Sequence, residues 1–215
     1  MVTIEEFKQE HMRDLYSISV ATGHMGGDAS DLYINPELMG LIYSAPYAVL
    51  QPSLVLLALD EQGVAGFALG VLDTASWEDR LEQEWWPALR AKYPDPSTPL
   101  VSEWTPDQRR AHMVHHPVRV PQEIRRPYPA HLHMNLLPRI QGTGVGPRLL
   151  QAWLELAGLH NSQGVHVAVN RHNERAIRFW DRAGFARLAL MNPEPGRTVW
   201  MGKNLVSRHG KSPWG

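Results

Sequence analysis

The run Gln141-Gly142-Thr143-Gly144-Val145-Gly146, with Pro147 directly behind it, lies between a strand-like stretch, His131 to Leu137, and a helix-like stretch, Pro147 to Ala157. No other feature constrains the fold as much. Glycines at 142, 144 and 146 leave backbone N–H groups uncovered by Cβ atoms, so the turn can close around something bulky. The helix that follows aims its dipole and its unpaired N–H groups at the same spot. Together they form a main-chain cradle for a phosphate. Pro147 suits the first helical turn, where a missing N–H costs nothing. The expectation is a phosphate-bearing cofactor held between a strand and a helix.

The spacing excludes the commoner nucleotide loops. A dinucleotide loop needs G-x-G-x-x-G, and counted from Gly142 the third glycine position is Pro147. A P-loop needs a lysine after its last glycine, and none follows. The pattern that fits is Q/R-x-x-G-x-G/A, met by Gln141, Gly144 and Gly146. Downstream, Val165, Val167 and Val169 alternate with His166, Ala168 and Asn170 in a period-two strand. Asn173 then reads as a helix N-cap and Gly184 as a left-handed stop, with Ala176, Ile177, Trp180 and Ala183 on one face. This segment matches N-x-x-A-x-x-F-[YW]-x-x-x-G-F at Asn173, Ala176, Phe179, Trp180, Gly184 and Phe185. With both motifs in place, the chain resembles the GNAT (Gcn5-related N-acetyltransferase) superfamily. The resemblance implies an α/β fold, a mixed sheet in the order βααββ…βαβαββ, and acetyl-CoA as cofactor.

A second likeness covers about Tyr16 to Leu205. Gly23 to Asp28, Asn35 to Gly40, Gly66 to Asp73 and the Trp-rich segment Trp85 to Tyr93 are similar to the C-terminal acetyltransferase-like domain of O-GlcNAcase and its bacterial homologues. The eukaryotic domain is regarded as a pseudo-enzyme with a degraded cofactor loop; here the loop is intact.

With 215 residues, 43% hydrophobic content and a formal charge of −1, the chain reads as one globular domain, residues 1–205. Residues 75–129 form a helical, proline-rich insertion between the third and fourth strands, and 206–215 a frayed tail. The near-neutral charge gives no electrostatic case for nucleic acid or an anionic membrane. The absence of cysteine excludes disulfides, thiolate metal sites and a cysteine nucleophile. No signal peptide or membrane-length apolar run is visible, so the expected location is cytoplasmic. Arginine outnumbers lysine 17 to 4, a usage that fits a GC-rich bacterial genome. Helices are expected over Gln9 to Ala21, after Pro36, over Ser76 to Trp86 and near Gln108 to Val114. Leu54 to Leu59 and Val64 to Asp73 form a hairpin, and a terminal hairpin turns at Pro193 to Gly196.

The family resemblance distributes the site residues. Pantetheine lies against main-chain groups of Met134 to Leu137, and the Leu136 N–H is the candidate oxyanion donor. Gln141, Gly142, Thr143, Gly144, Val145 and Gly146 hold the pyrophosphate. Asn173, Phe179 and Trp180 line the cofactor from the last helix. For a general base, His131 and His133 share a face of a regular strand, and imidazole titrates near neutrality. A His-Leu-His pair does this work in some family members, although here it sits one residue closer to the loop. The bland alternative is one packed and one solvated histidine. Asp28 competes as base, against a plain Asx-turn role. Trp180 takes a position that is often a tyrosine acid, and indole supplies no proton. The histidines at 112, 115 and 116 show no carboxylate at fixed spacing, so no metal is expected. Glu78, Asp79, Glu82 and Glu84 read as a solvated helix face, and the neighbouring tryptophans as core.

The resulting expectation is an N-acetyltransferase moving acetyl from acetyl-CoA to a primary amine by direct attack in a ternary complex, as monomer or homodimer. The alternatives are a catalytically inactive acetyl-CoA-binding sensor or scaffold, and a plain interaction module.

Overall fold

Alternation along the second strand divides its side chains between two cores. Val55 and Leu57 face one side of the sheet and Leu56 and Ala58 the other, all buried. The structure, a computed structural model, describes residues 1–96, 100–190 and 196–205. Its strands are β1 (Thr3–Glu6), β2 (Val55–Asp60), β3 (Gly63–Val71), β4 (Ala130–Leu136), β5 (Gly164–Asn170), β6 (Ala186–Arg187) and β7 (Thr198–Asn204). They form one seven-stranded sheet in the order β1-β2-β3-β4-β5-β7-β6. All neighbours are antiparallel except β4 and β5, which are parallel.

Helices cover both faces. On one side lie α1 (Met12–Ala21), α2 (Glu37–Tyr43), α3 (Ala45–Leu50), α4 (Thr74–Glu84), α5 (Trp86–Lys92) and α6 (Pro106–His115). Leu15, Ile18, Leu38, Trp77, Leu81 and Trp86 carry their apolar stripes onto β2 and β3. A short α7 (Gln122–Arg125) precedes β4. On the opposite side α8 (Val145–Leu159) presents Leu149, Leu150, Trp153 and Ala157 to the sheet, beside α9 (Glu174–Arg182) with Ile177 and Trp180. Trp153 is sealed, its Nε1–H donating to the Leu54 carbonyl at 3.0 Å. Burying one such side chain contributes about 2–3 kcal/mol.

The expected element order holds, with helical detail added by proline. The helix expected over Ser76 to Trp86 is α4, and a separate helix, α5, follows it because Pro87 lacks the N–H that would continue the ladder. The single helix expected after Pro36 is two, broken at Ser44 as Pro46 starts α3. The turn at Pro193 to Pro195 and the tail beyond Leu205 lie outside the described residues. No helix among the described residues is long and apolar enough to cross a membrane.

Candidate active site

The parallel pair at the centre of the sheet is short. β4 and β5 are in register only at Ala130 with Val165 and His131 with His166, after which the strands separate. On its other edge β4 keeps unbroken register with β3, from Val71 opposite His131 to Gly66 opposite Leu136. The next N–H, that of Leu137, donates to Ala65 O at 2.7 Å, which identifies the odd-numbered residues as those turned toward β3. The main-chain groups of Met134 and Leu136 therefore face the gap toward β5. Leu137 does not, because its N–H is taken by β3. The sheet thus opens a cleft between the diverging edges of β4 and β5.

The glycine-rich turn closes that cleft at its wide end. Gly142 and Gly144 sit at φ +76° and +83°, a region costly for other residues, and a Cβ at either would meet nothing within 4 Å. Gly144 is the N-cap of α8. Among the described residues, the N–H groups of residues 142 to 146 reach no carbonyl outside their own turn. Two side chains brace the turn: Gln141 Nε2 donates to Leu136 O at 2.6 Å, and Thr143 Oγ1 to Ile140 O at 2.7 Å. Gln141 thus shapes the cradle with its side chain, leaving the main chain of its neighbours free. Gly146 packs under Phe179, whose ring would lie 3.3 Å from a Cβ there.

On the α1–α3 face, β4 presents His131, His133 and Asn135. Asn135 Nδ2 donates to Thr22 Oγ1 at 2.6 Å. The Tyr47 hydroxyl from α3 bridges both histidines, 2.7 Å from His131 Nε2 and 3.1 Å from His133 Nε2. Thr74 Oγ1 lies 2.8 Å from His131 Nδ1 and donates to Pro129 O at 2.7 Å. A carbonyl only accepts, and this fixes every proton in the row. Thr74 gives its hydroxyl proton to Pro129, so His131 Nδ1–H donates to Thr74. His131 Nε2 then accepts from Tyr47, and His133 Nε2–H donates to the Tyr47 oxygen. The lone pair of His133 stays on Nδ1, which has no partner among the described residues.

Electrostatics keep these rings neutral. Burial, with His133 and His166 nearby, holds His131 well below the ordinary histidine range. Burial and then His166 push half-buried His133 down to about 4. Burial lowers His166, which donates from Nδ1 to Tyr128 O at 2.7 Å. Burial raises the Tyr47 hydroxyl above its usual value.

The other expected residues fall in different surroundings. Asp28 is exposed and accepts from Ser30 N–H and Oγ–H at 2.8 and 2.6 Å; these bonds lower its carboxyl further. Its loop nevertheless reaches α9, where Arg175 Nη2 would lie 3.5 Å from a Cβ at Gly26. Asn173 caps α9, its side chain accepting from Ala176 N–H at 3.1 Å. Trp180 is buried edge-on between Phe179 and Phe185, at 5.0 and 4.9 Å between ring centres. The acidic residues of α4 are ion-paired: Glu78 with Arg125, Asp79 with Arg119, Glu82 with Arg90 and Glu84 with Arg80. Tyr47, Thr74, Thr22 and His166 were not singled out in the sequence. None stands in a local motif; they join β4 only through pairing across the sheet and the docking of α1, α3 and α4.

The sequence model of the acetyltransferase (GNAT) family matches residues 31–185. Among curated proteins, the chain is similar to protein O-GlcNAcase of Rattus norvegicus and of Mus musculus, 22% identical over 147 residues. That match covers 68% of this chain and only 16% of each relative's length. Among solved structures it is similar to SsHAT, with TM-score 0.86 at 30% identity over 95% of this chain and 98% of that chain. Two others share the fold. A GNAT superfamily phosphinothricin acetyltransferase from Sinorhizobium meliloti, solved with acetyl-CoA, has TM-score 0.53 at 14% identity, covering 95% and 88% of the two chains. Salmonella typhimurium yncA, solved with its cofactor acetyl-CoA, has TM-score 0.53 at 15% identity, covering 99% and 98%. The opened β4–β5 pair, the left-handed glycines at the start of α8 and this match over most of the sequence lead to one conclusion: the chain belongs to the acetyltransferase (GNAT) family.

Proposed function

We propose that this protein is an N-acetyltransferase that moves the acetyl group of acetyl-CoA to a primary amine by direct attack in a ternary complex. The observation that carries the reading is the row of main-chain N–H groups at residues 142 to 146, which reach no carbonyl outside their own turn, set beside the Leu136 edge of the cleft. A pyrophosphate fits that row in charge, and the open space above Gly142 and Gly144 fits it in size. Gly142 to Gly146 would hold the pyrophosphate, and the main chain of Met134 and Leu136 the pantetheine arm, in the manner of an added strand. When bound, acetyl-CoA supplies a thioester carbon open to attack.

The chain's own groups divide the remaining work. Leu136 N–H is the donor for an oxygen seated in the cleft. His133 Nδ1 receives the proton that the attacking nitrogen sheds. An alkylammonium near 10.4 lies about 6 units above His133, so full transfer from it would cost about 9 kcal/mol. The amine therefore enters neutral, and His133 acts after attack. Buried Trp180 offers no proton to the departing sulfur, which supports a second reading: a protein that binds acetyl-CoA without transferring its acetyl group.

Calorimetry with acetyl-CoA on the parent and on Gly144→Trp, followed by amine-dependent release of free CoA thiol, tests both readings. Binding lost in the variant, with thiol release by at least one amine class, is the expected result. Binding without release by peptide α-amines, lysine peptides, polyamines or amino sugars favours the second reading. A folded parent that does not bind overturns both.

A further inference from the structure

The end of α6 gathers three potential metal ligands from two distant stretches of chain. His112 lies in the last turn of the helix and His116 is its C-cap, four residues on and so on the same face. Asp95, from the segment after α5, faces both. His116 Nε2 is 2.6 Å from Asp95 Oδ2, and His112 Nδ1 is 3.5 Å from Oδ1. All three donor atoms lie within 4.8 Å of one another. The imidazole rings are 4.3 Å apart and inclined by 33°.

We propose that Asp95, His112 and His116 bind a divalent transition metal, zinc first among them. Tetrahedral zinc with bonds of about 2.0–2.1 Å sets its ligand atoms about 3.3 Å apart. The His112–Asp95 separation already matches that spacing. The His116–Asp95 contact must open by less than about 1 Å, within the reach of a carboxylate rotation. The side chains are 40%, 54% and 40% exposed for His112, His116 and Asp95, leaving positions for water on the open side. Two imidazole nitrogens and one carboxylate oxygen select zinc, cobalt, nickel or copper over magnesium and calcium, which take oxygen-rich sites. The Asp95 carboxylate, in contact with both rings, already holds the three side chains together.

Independent contacts preorganise the site. His115 Nε2–H donates to Tyr93 O at 2.8 Å, tying the chain two residues before Asp95 to the same helix end. Arg90 Nε donates to Val114 O at 3.0 Å while its guanidinium pairs with Glu82. The Trp104 ring lies 4.6 Å from that of His112 and limits its swing. The site shares no residue with the β4 cleft, so the ion takes no part in bond making. Its effect is on α6. The first turns of that helix hold the chain entering α2: Asp107 accepts from Ile34 and Asn35 N–H at 3.0 and 2.8 Å, and Arg110 donates to Tyr33 and Tyr43 hydroxyls at 3.0 and 2.9 Å. A metal at the far end of α6 would stiffen the clamp on this segment.

The test uses tag-free protein stripped with EDTA and titrated with zinc chloride by calorimetry at pH 7.5. One zinc per chain with micromolar affinity and a raised thermal midpoint is expected. Asp95→Asn, His112→Ala and His116→Ala should each weaken binding at least about tenfold, the loss of one ligand from three. These are surface positions, and circular dichroism checks that each variant is folded. Zinc bound equally by parent and all three variants would place it on other histidines and overturn the proposal, as would no binding by the parent.

Discussion

The turn at 141 to 146 and the polar face of β4 lie at two sides of one cleft and are built on opposite plans. In the turn, main-chain donors from Gly142 to Gly146 reach no carbonyl beyond the turn itself among the described residues. On β4, hydrogen bonds link Thr74, His131, Tyr47 and His133 in one row, leaving a single imidazole nitrogen unengaged. A surface that receives an anion keeps its donors free, since pairing them internally would compete with the ligand. A surface that handles a proton fixes its tautomers, since a ring that can turn or switch protons offers no defined base.

Substitutions at the turn should break the comparison most sharply. Gly144→Trp places a bulky side chain in the cradle at a left-handed backbone position. It should weaken acetyl-CoA binding by about 100-fold or more, equivalent to about 3 kcal/mol, and lower stability by about 1–2 kcal/mol. Unchanged affinity by calorimetry would remove the loop from the site. Tyr47→Phe should do the reverse. It leaves His131 Nε2 and His133 Nε2–H without their shared partner, at about 1–3 kcal/mol for each buried group. A fall in the thermal midpoint of about 4–24 °C should follow, with acetyl transfer reduced by about 100-fold and acetyl-CoA affinity unchanged. A variant as active as the parent would take Tyr47 out of the proton path.

Acidity separates the two regions next. His131, His133 and His166 titrate lower folded than unfolded, so between pH 6.5 and about 4 the unfolded chain binds protons that the native protein refuses. Stability is therefore full above pH 6.5 and is lost as pH falls toward 4. His133 alone contributes at most about 3 kcal/mol, less for its exposed share. Thermal midpoints measured across that window should flatten in His133→Gln; an identical slope would assign the loss to other groups. The smallest effect is expected at Asp28, whose carboxylate serves its own turn. Asp28→Asn should leave both acetyl-CoA affinity and transfer rate within about twofold, a change below 0.5 kcal/mol in barrier. A drop in rate of 100-fold would instead make Asp28 the base.

The two regions were also unequally legible. Gly142 and Gly144 announce a left-handed turn, and Asn173 and Gly184 the ends of α9, because each acts on its own backbone within a few residues. The shared face of His131 and His133 follows from period two alone. The pairing of His131 with His166 does not, since it depends on which strands lie side by side and in what register. Tyr47 carries no local sign of its role, because its hydroxyl meets β4 across 84 positions of sequence. Asp95 is just as silent beside His112 and His116, where spacing along the chain shows only the helical pair.

The sequence by itself determined the left-handed glycine turn, the capped α9, the order of strands and helices and the family, because main-chain conformation and apolar periodicity are set by neighbours a few residues apart. Only the tertiary structure decided which imidazole nitrogen keeps its lone pair, that Leu137 turns away from the cleft while Leu136 faces it, and that Phe179 lies against the loop while Trp180 is buried. Those outcomes depend on strand register and on helices docking from distant parts of the chain. A single step of register would exchange every donor that faces the cleft for one that faces β3.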